Sequence, residues 1–189
     1  KKQGLAVSRR RVERLMREAG LRARVARIYR SNPRLHRFYD KYPNRLWKHQ
    51  AKRPGEIWVA DVTYLPVQDK WFYLAVVMDQ CSRRILGWSL KSKRGTAITR
   101  TALDLATRAQ QPKRGLIFHS DRGSEYASTV LGDRFKALGI LQSMTRGGCP
   151  ADNPHAESFF HSLKADVIHG SRFDTEAQLR SCVRSYIRF

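Results

Sequence analysis

Three closely spaced runs constrain the fold of this chain more than any other feature. "EIWVADVTYLP" (56–66), "KWFYLAVVMDQ" (70–80) and "RRILGWSLKS" (83–92) are dense in β-branched and aromatic residues, and the polar connections between them leave room only for reversals. They predict an antiparallel three-stranded meander. Downstream the period changes. Ile98, Ala102, Leu105 and Ala109 recur at helical spacing within "TAITRTALDLATRAQ" (96–110), and "GLIFHS" (115–120) predicts a fourth strand. "STVLGDRFKALG" (128–139) predicts a helix stopped by Gly139, "ILQSMT" (140–145) a short fifth strand, and "NPHAESFFHSLKADVI" (153–168) another helix. A last amphipathic helix is expected from Asp174. Strands first, then alternating helices and strands, give a mixed α/β layer fold.

The first 53 residues are of a different kind. They hold 18 basic and 3 acidic side chains, against 19 and 13 in residues 54–189, in a chain of formal net charge +21. Charge of that size favours a polyanionic partner, nucleic acid first. No apolar run approaches the ~20 residues that span a bilayer and no signal peptide is visible, so no membrane partner is expected. Cys81, Cys149 and Cys182 are odd in number and form no C-x-x-C pair, which suggests neither a disulfide framework nor a zinc knuckle and points to a reducing compartment. From Ser8 the pattern is helical, with Ser8 as N-cap, Val12, Leu15, Met16 and Ala19 on one face, and Gly20 at the C-terminal end. Arg9, Arg10, Arg14 and Arg17 on the other face are candidate DNA contacts, with a merely solvated helix face as the alternative. Pro33, Pro43 and Pro54 interrupt residues 31–55, which read as a linker that lets arm and core move independently. The expected organisation is a partial helix-turn-helix-like region (1–30), a basic linker (31–53) and a core (54–189).

Three acids stand out within the core. Asp61 lies in the middle of "WVADVTYL", where both sets of alternate positions are largely apolar, and an ionised carboxylate there is costly without a cation or partner. Asp121 directly follows the fourth strand, where an Asp-Arg-Gly turn is ordinary chemistry. On the helix that follows, Asp152 or Asn153 can serve as N-cap and Pro154 suits the first turn. At 100° per residue Ala156, Phe159, Phe160 and Leu163 face the core, while Glu157, His161 and Lys164 form an adjacent polar stripe. Taken singly, each acid also has a plain reading as an edge, turn or solvated residue. Their spacing is more specific: 59 residues separate Asp61 from Asp121, and 35 separate Asp121 from Glu157.

In that order and spacing, "WVADVTYLP", "HSDRGSEY" and "DNPHAESFFHSLK" resemble the three signature segments of the integrase-type (Asp-Asp-Glu) transposases of the insertion sequence 3 family, relatives of the retroviral integrases. "SRRRVERLMREAGLRAR" is similar to the end of that family's N-terminal helix-turn-helix region. The resemblance implies a ribonuclease H-like fold, a mixed five-stranded sheet flanked by helices and preceded by a small helical DNA-binding arm. It implies that Asp61, Asp121 and Glu157 are catalytic and hold Mg²⁺ or Mn²⁺, two ions per active site, with Asp61 bridging. All-oxygen ligands favour those ions over zinc. The implied function is that of a DNA transposase carrying out metal-dependent 3′-end cleavage and strand transfer of a mobile element. The implied partners are double-stranded DNA at element ends and target, further copies of the chain assembled on DNA, and a family-type helix-turn-helix companion protein, in the bacterial cytoplasm and nucleoid-associated when bound to DNA. Lys164 and His161 beside Glu157 are candidate DNA contacts, and so is Arg122 beside Asp121, although for Arg122 and His119 alike a structural hydrogen-bonding role is read first, with DNA contact as the alternative. The family's basic tail beyond the last helix is not found here, and a chain that opens on Lys1 and stops at Phe189 inside a helical pattern reads as cut, or unseen, at both ends. Two other readings compete. A ribonuclease H-like structure-specific nuclease shares the metal chemistry but not the 35-residue spacing, and a non-catalytic DNA-binding protein on the same scaffold is disfavoured by retention of all three acids.

Overall fold

The computed structural model describes residues 7–21, 39–47, 49–146, 149 and 152–188. They fall into two compact units, one within Lys1–Asn32 and the other within Pro33–Phe189. In the first unit the described residues form one helix, α1 (Arg9–Glu18). As its sequence predicts, the Ser8 hydroxyl accepts from the Arg11 amide at 3.3 Å, and Gly20 leaves the helix at φ +65°. Arg9 and Arg14 pair with Glu13 and Glu18 one turn on, and among the described residues Arg10 and Arg17 make no ion pair. The remainder of the expected arm (1–6 and 22–30) and residues 31–38 of the expected linker lie outside the described residues.

The second unit is built on one five-stranded sheet in the order β3-β2-β1-β4-β5, from β1 (Ile57–Val67), β2 (Lys70–Asp79), β3 (Ile85–Lys91), β4 (Ile117–Ser120) and β5 (Leu141–Met144). The first three strands form the expected antiparallel meander, with a register shift between Val77 and Met78. β4 and β5 add in parallel, because helices α2 (Thr96–Ala109) and α3 (Thr129–Leu138) supply the crossovers that parallel pairing requires. α2 and α3 cover one face, where Trp58, Ala60, Val77, Phe118, Leu131 and Phe135 meet Ile98, Ala102 and Ala106. α2 sits so close to β3 that a Cβ on Gly87 would stand 2.2 Å from the Ala102 carbonyl oxygen and 2.5 Å from the Ala106 nitrogen.

Helices α4 (Pro154–Leu163) and α5 (Glu176–Arg188) cover the other face, where Leu65, Leu74, Val76 and Leu90 pack on Phe160, Leu163, Leu179 and Val183. α4 does not run on as one regular helix to Ile168, as its sequence suggests. It widens into a π-helical turn over Lys164–Ile168. This is the ribonuclease H-like arrangement. Among the described residues no helix is long and apolar enough to cross a membrane.

The stretch read as a linker departs from expectation from Tyr39 onward, where it belongs to the same compact unit as the sheet. Its prolines do exclude regular structure, but its backbone groups find partners on the core. The Arg45 amide donates to Ser143 Oγ (2.9 Å), the Ala51 amide to Gln80 Oε1 (2.9 Å) and the Gly55 amide to Asp79 Oδ2 (2.6 Å). Leu46 and Ala51 pack on Ile57, Val59 and Met78. The basic residues are carried by a strap of turns and bends tied to the sheet unit, because a segment without its own ladder still has to satisfy its amides.

Candidate active site

Strand register brings two acids together. β1 has eleven residues, but β4 pairs with only its first four, from Ile57↔Ile117 to Ala60↔Ser120. Asp61 and Asp121 are each the next residue after that last pair. Adjacent strands lie ~5 Å apart, so the two backbones are neighbours where they begin to diverge. Parity along β1 puts Asp61 on the side covered by α4, the side of Val59 and Leu65, while Asp121, just past the end of β4, has Glu125 and Arg94 among its charged neighbours. The crevice beyond the carboxyl ends of adjacent parallel strands is where α/β sheets place their ligand sites.

The third acid arrives on α4, whose start is tied down from two directions. Asn153 is buried and its side-chain amide donates to the Ala60 carbonyl at 3.1 Å. Asp152 is clamped by Arg146, which donates from its amide (2.8 Å), from Nε (3.0 Å) and from Nη2 (2.8 Å), and this holds the Asp152 carboxyl down at about 2. Neither side chain therefore caps the helix, contrary to the sequence reading, because each is held by a tertiary partner. Pro154 occupies the first turn as expected, and Glu157 lies exposed one turn in. Behind the clamp, the Arg146 guanidinium lies over the Trp47 ring at 3.3 Å from its centroid. His119 is fully buried with Nδ1 2.8 Å from Ser143 Oγ, the same hydroxyl that receives the strap at Arg45, and burial lowers the imidazole to about 4. His119 is thus neutral and structural at physiological pH.

The electrostatics single out the aspartates. Burial lifts the Asp61 carboxyl to about 7, with repulsion from Asp121, and more weakly from Glu125 and Glu157, adding to it against the Val62 amide, which donates to Oδ1 at 2.7 Å. Asp121 is also raised by burial, opposed by the Gly123 amide that donates to Oδ1 at 3.0 Å. Sequence reasoning missed Glu125. It is 1% exposed and accepts from Arg94 Nε (3.1 Å) and Nη2 (2.7 Å). Gly123 separates it from Asp121, and a Cβ there would stand 2.7 Å from the Glu125 carboxyl carbon and 2.9 Å from Asp121 Oδ1. The only signal in the sequence was Glu125's place within "HSDRGSEY". Asn153 and the Arg146–Asp152 clamp likewise had no signal, since each depends on a tertiary partner.

Hard oxygen donors with uncompensated charge suit a hard divalent cation such as Mg²⁺ or Mn²⁺. The fit rests on Asp61 and Asp121, two half-buried carboxylates that repel each other, while Arg94 gives its hydrogen bonds to Glu125 instead. Among the described residues no three His, Cys, Asp or Glu side chains are close enough to enclose a metal ion. Glu157 acts on Asp61 at longer range, as the smallest of its repulsions. Of the candidate DNA contacts, His161 is exposed on the Glu157 stripe, and Lys164 Nζ lies 4.7 Å above the Tyr64 ring. Arg122 instead holds the strap. Its Nε donates to the Thr145 carbonyl (2.8 Å), its guanidinium lies over Tyr39, and its own carbonyl accepts from the Tyr39 hydroxyl (2.7 Å).

Known proteins match on both sequence and fold. The integrase core domain family matches residues 51–150, and a second family of the same description matches residues 157–189. Transposase InsF for insertion sequence IS3A of Escherichia coli (strain K12) is 35% identical over 175 residues, covering 91% of this chain and 60% of that protein. The transposase for insertion sequence element IS904 of Lactococcus lactis subsp. lactis (strain IL1403) is 34% identical over 189 residues, 97% of this chain and 73% of that protein. This chain thus spans about 60% of the length of the IS3 relatives. Among solved structures, the catalytic domain of Mos1 mariner transposase superposes with TM-score 0.60 at 17% identity over 85% of this chain and 84% of that one. The HTLV-2 integrase catalytic core domain in complex with magnesium, in dimeric form, gives 0.52 at 17% identity over 73% and 86%.

Proposed function

We propose, from the premise that this chain belongs to the integrase core domain family and within it to the insertion-sequence transposases, that it is the catalytic part of a DNA transposase that frees the 3′ ends of a mobile element and joins them to target DNA. One observation carries the reading. Asp61 and Asp121 lie side by side one residue past the last pair of two parallel strands, and the helix bearing Glu157 is anchored to the main chain of Ala60.

Asp61, Asp121 and Glu157 are the residues that would hold two Mg²⁺ or Mn²⁺ ions, and when bound such ions activate an attacking oxygen and stabilise a leaving one in an in-line phosphoryl displacement. The protein's own part is positioning. Asp61 within β1 and Asp121 directly after β4 are positioned by a rigid sheet, so their carboxylates need little reorganisation to hold cations that would face a phosphodiester. The ties at Asn153 and Asp152 hold the start of α4, whose first turns carry Glu157, to the residue that precedes Asp61 and to Arg146. Lys164, two turns beyond Glu157 and ~10 Å along the helix, is placed to meet a phosphate of the bound strand. His161 shares that stripe, and the arginines of α1 add backbone affinity that carries no sequence information. The reaction takes place on double-stranded DNA in the bacterial cytoplasm, within an assembly of several copies. The HTLV-2 integrase core solved with magnesium and a Mos1 structure solved with manganese support the choice of ion.

The test is strand transfer in Mg²⁺ or Mn²⁺, using labelled duplexes carrying the terminal repeats that flank this gene. The unaltered protein should nick the 3′ ends and join them to target. Glu157→Gln should abolish both steps while duplex binding holds or strengthens slightly, because an anionic group near phosphate has gone. Lys164→Ala should weaken DNA engagement. Near-normal strand transfer by Glu157→Gln would remove Glu157 from the site and the transposase assignment with it.

A further inference from the structure

Beside the acids the free half of β1, residues 61–67, continues past the end of β4. Its outer end carries an aromatic group that the core does not use. Tyr64 and Trp71 are 56% and 53% exposed, and their rings meet edge to face with centroids 5.1 Å apart. Isolated exposed aromatics are common, but two in contact at a sheet edge are not background. Tyr73 is the cross-strand partner of Tyr64 and lies toward the core. Arg94 is next, its charge felt by Tyr73 on one side and by Glu125 and Asp121 on the other. At the far side Lys164, from the opposite face of the sheet, reaches around the free edge to set Nζ over the Tyr64 ring.

Tyr73, Tyr64 and Trp71 therefore form a run of rings flanked by two cations, Arg94 beside Tyr73 and Lys164 over Tyr64, along a strip that starts beside Asp121 and ends at Trp71. Tyr64 is three residues from Asp61 along β1, or ~10 Å, and Lys164 is about as far from Glu157 along α4. The strip thus has the reach of a few nucleotides. We propose that it binds unpaired nucleotides of the DNA strand next to the cut, with bases stacked on Tyr64 and Trp71 and phosphates held by Arg94 and Lys164. Rings supply a face that any base can use, and cations follow the backbone, which is how sequence-tolerant single-strand sites are built. A flat apolar dimer contact has no need of charge beside its rings, and a closed duplex shows no base faces to stack on. The inference deepens the transposase reading and rests on it for the source of the strand.

The experiment uses the whole chain without divalent ions, so that no chemistry occurs. Affinity is measured at fixed salt for a fluorescent oligothymidine of about eight nucleotides and for the same backbone made of abasic sites. The unaltered protein should prefer the oligothymidine by on the order of tenfold, the contribution of one or two stacked bases. Tyr64→Ala and Trp71→Ala should each carry that ratio toward one and leave abasic affinity in place, whereas Tyr64→Phe should keep the ratio. Both side chains are exposed, so loss of folding is not expected, and circular dichroism checks it. Equal affinity for the two oligonucleotides, or a preference unchanged in both alanine variants, would overturn the proposal. So would variants whose only effect is on the sedimentation coefficient, which would make the strip a contact between copies. A protein inactive in strand transfer that still shows the base preference would refute the transposase reading alone. An active one without the preference would refute only the strip.

Discussion

The side-chain amide of Asn153 donates to the main-chain oxygen of Ala60 at 3.1 Å, joining the start of α4 to the strand residue that precedes Asp61. Both groups are buried, so the bond has no competition from water. Asn153→Ala should cost about 1–2 kcal/mol of stability, the ordinary penalty for leaving one partner of a buried hydrogen bond unpaired. It should also slow DNA cleavage more than it weakens DNA binding, because Glu157 loses its aim. Asn153→Asp should be worse on both counts, since it sets an acceptor against an acceptor beside acids that already repel. Thermal melts together with single-turnover cleavage check this, and full cleavage rates in both variants would count against the tie.

Asp61 makes the metal-free protein sensitive to pH in an unusual direction. Its carboxyl titrates at about 7 when folded against 3.8 ordinarily, so between those values the folded state binds more protons than the unfolded one. Stability from this group is therefore present at low pH and is lost as pH rises from about 4 to about 7, by ~4 kcal/mol at most. Without divalent ions, Asp61→Asn should flatten that fall and raise the melting temperature at pH 7. Added Mg²⁺ should restore stability at pH 7 in the unaltered protein and do so less in the variant. A metal-free protein whose melting temperature climbs steadily from pH 4 to pH 7, equally in both forms, would contradict the electrostatics.

Two glycines should separate fold from site. At Gly87 an added methyl meets backbone atoms of α2 at 2.2 and 2.5 Å, which cannot move without displacing the helix. Gly87→Ala should therefore cost roughly 3 kcal/mol or more and leave little soluble protein. At Gly123 the neighbours are the carboxylates of Asp121 and Glu125, which can give way. Gly123→Ala should fold with a modest penalty and lose most cleavage activity. The comparison needs only expression yield, a melt and a cleavage assay.

Residues 1–32 carry 11 basic and 2 acidic side chains, a net +9 out of +21, and the boundary of the second unit follows them. Removing them should leave the sheet folded and reduce the slope of log affinity against log salt by about 0.9 for each phosphate that is no longer neutralised. A cut at residue 53 would also remove the strap on Ser143 and Gln80, so it should lower the melting temperature as well. An unchanged slope after the first cut would assign DNA affinity to the sheet unit alone.

The sequence carried the strands and helices because periodicity is local. Alternating Val, Ile and aromatic residues in "KWFYLAVVMDQ" can be read without knowing what lies next to them. Ser8 as a cap and Gly139 as a stop were legible for the same reason, and both occur as read. What stayed hidden depends on partners far away. Asn153 looks like a helix cap, but its side chain is taken by Ala60, 93 residues earlier. Tyr39 to Gly55 look like a linker because prolines preclude regular structure, and nothing in them announces that Ser143, Gln80 and Asp79 will receive their amides. Glu125 lay within a signature segment, yet only the fold shows that its carboxylate turns inward toward Arg94.

The pairing of Ala60 with Ser120 also sets an order of assembly. The β1–β2–β3 meander needs only neighbours in sequence, so it can form while the chain is still being synthesised. β4 has to close a loop of sixty residues for four ladder positions beside β1, a pairing that is rewarded only once α2, α3 and β5 have packed. The two aspartates meet at that step, and their repulsion opposes it. Glu157 joins later still, on a helix made after β5. A growing or broken polypeptide can thus carry the meander without the pairing of β1 with β4, and Asp61, Asp121 and Glu157 come to share one unit only after nearly the whole of this region has been made.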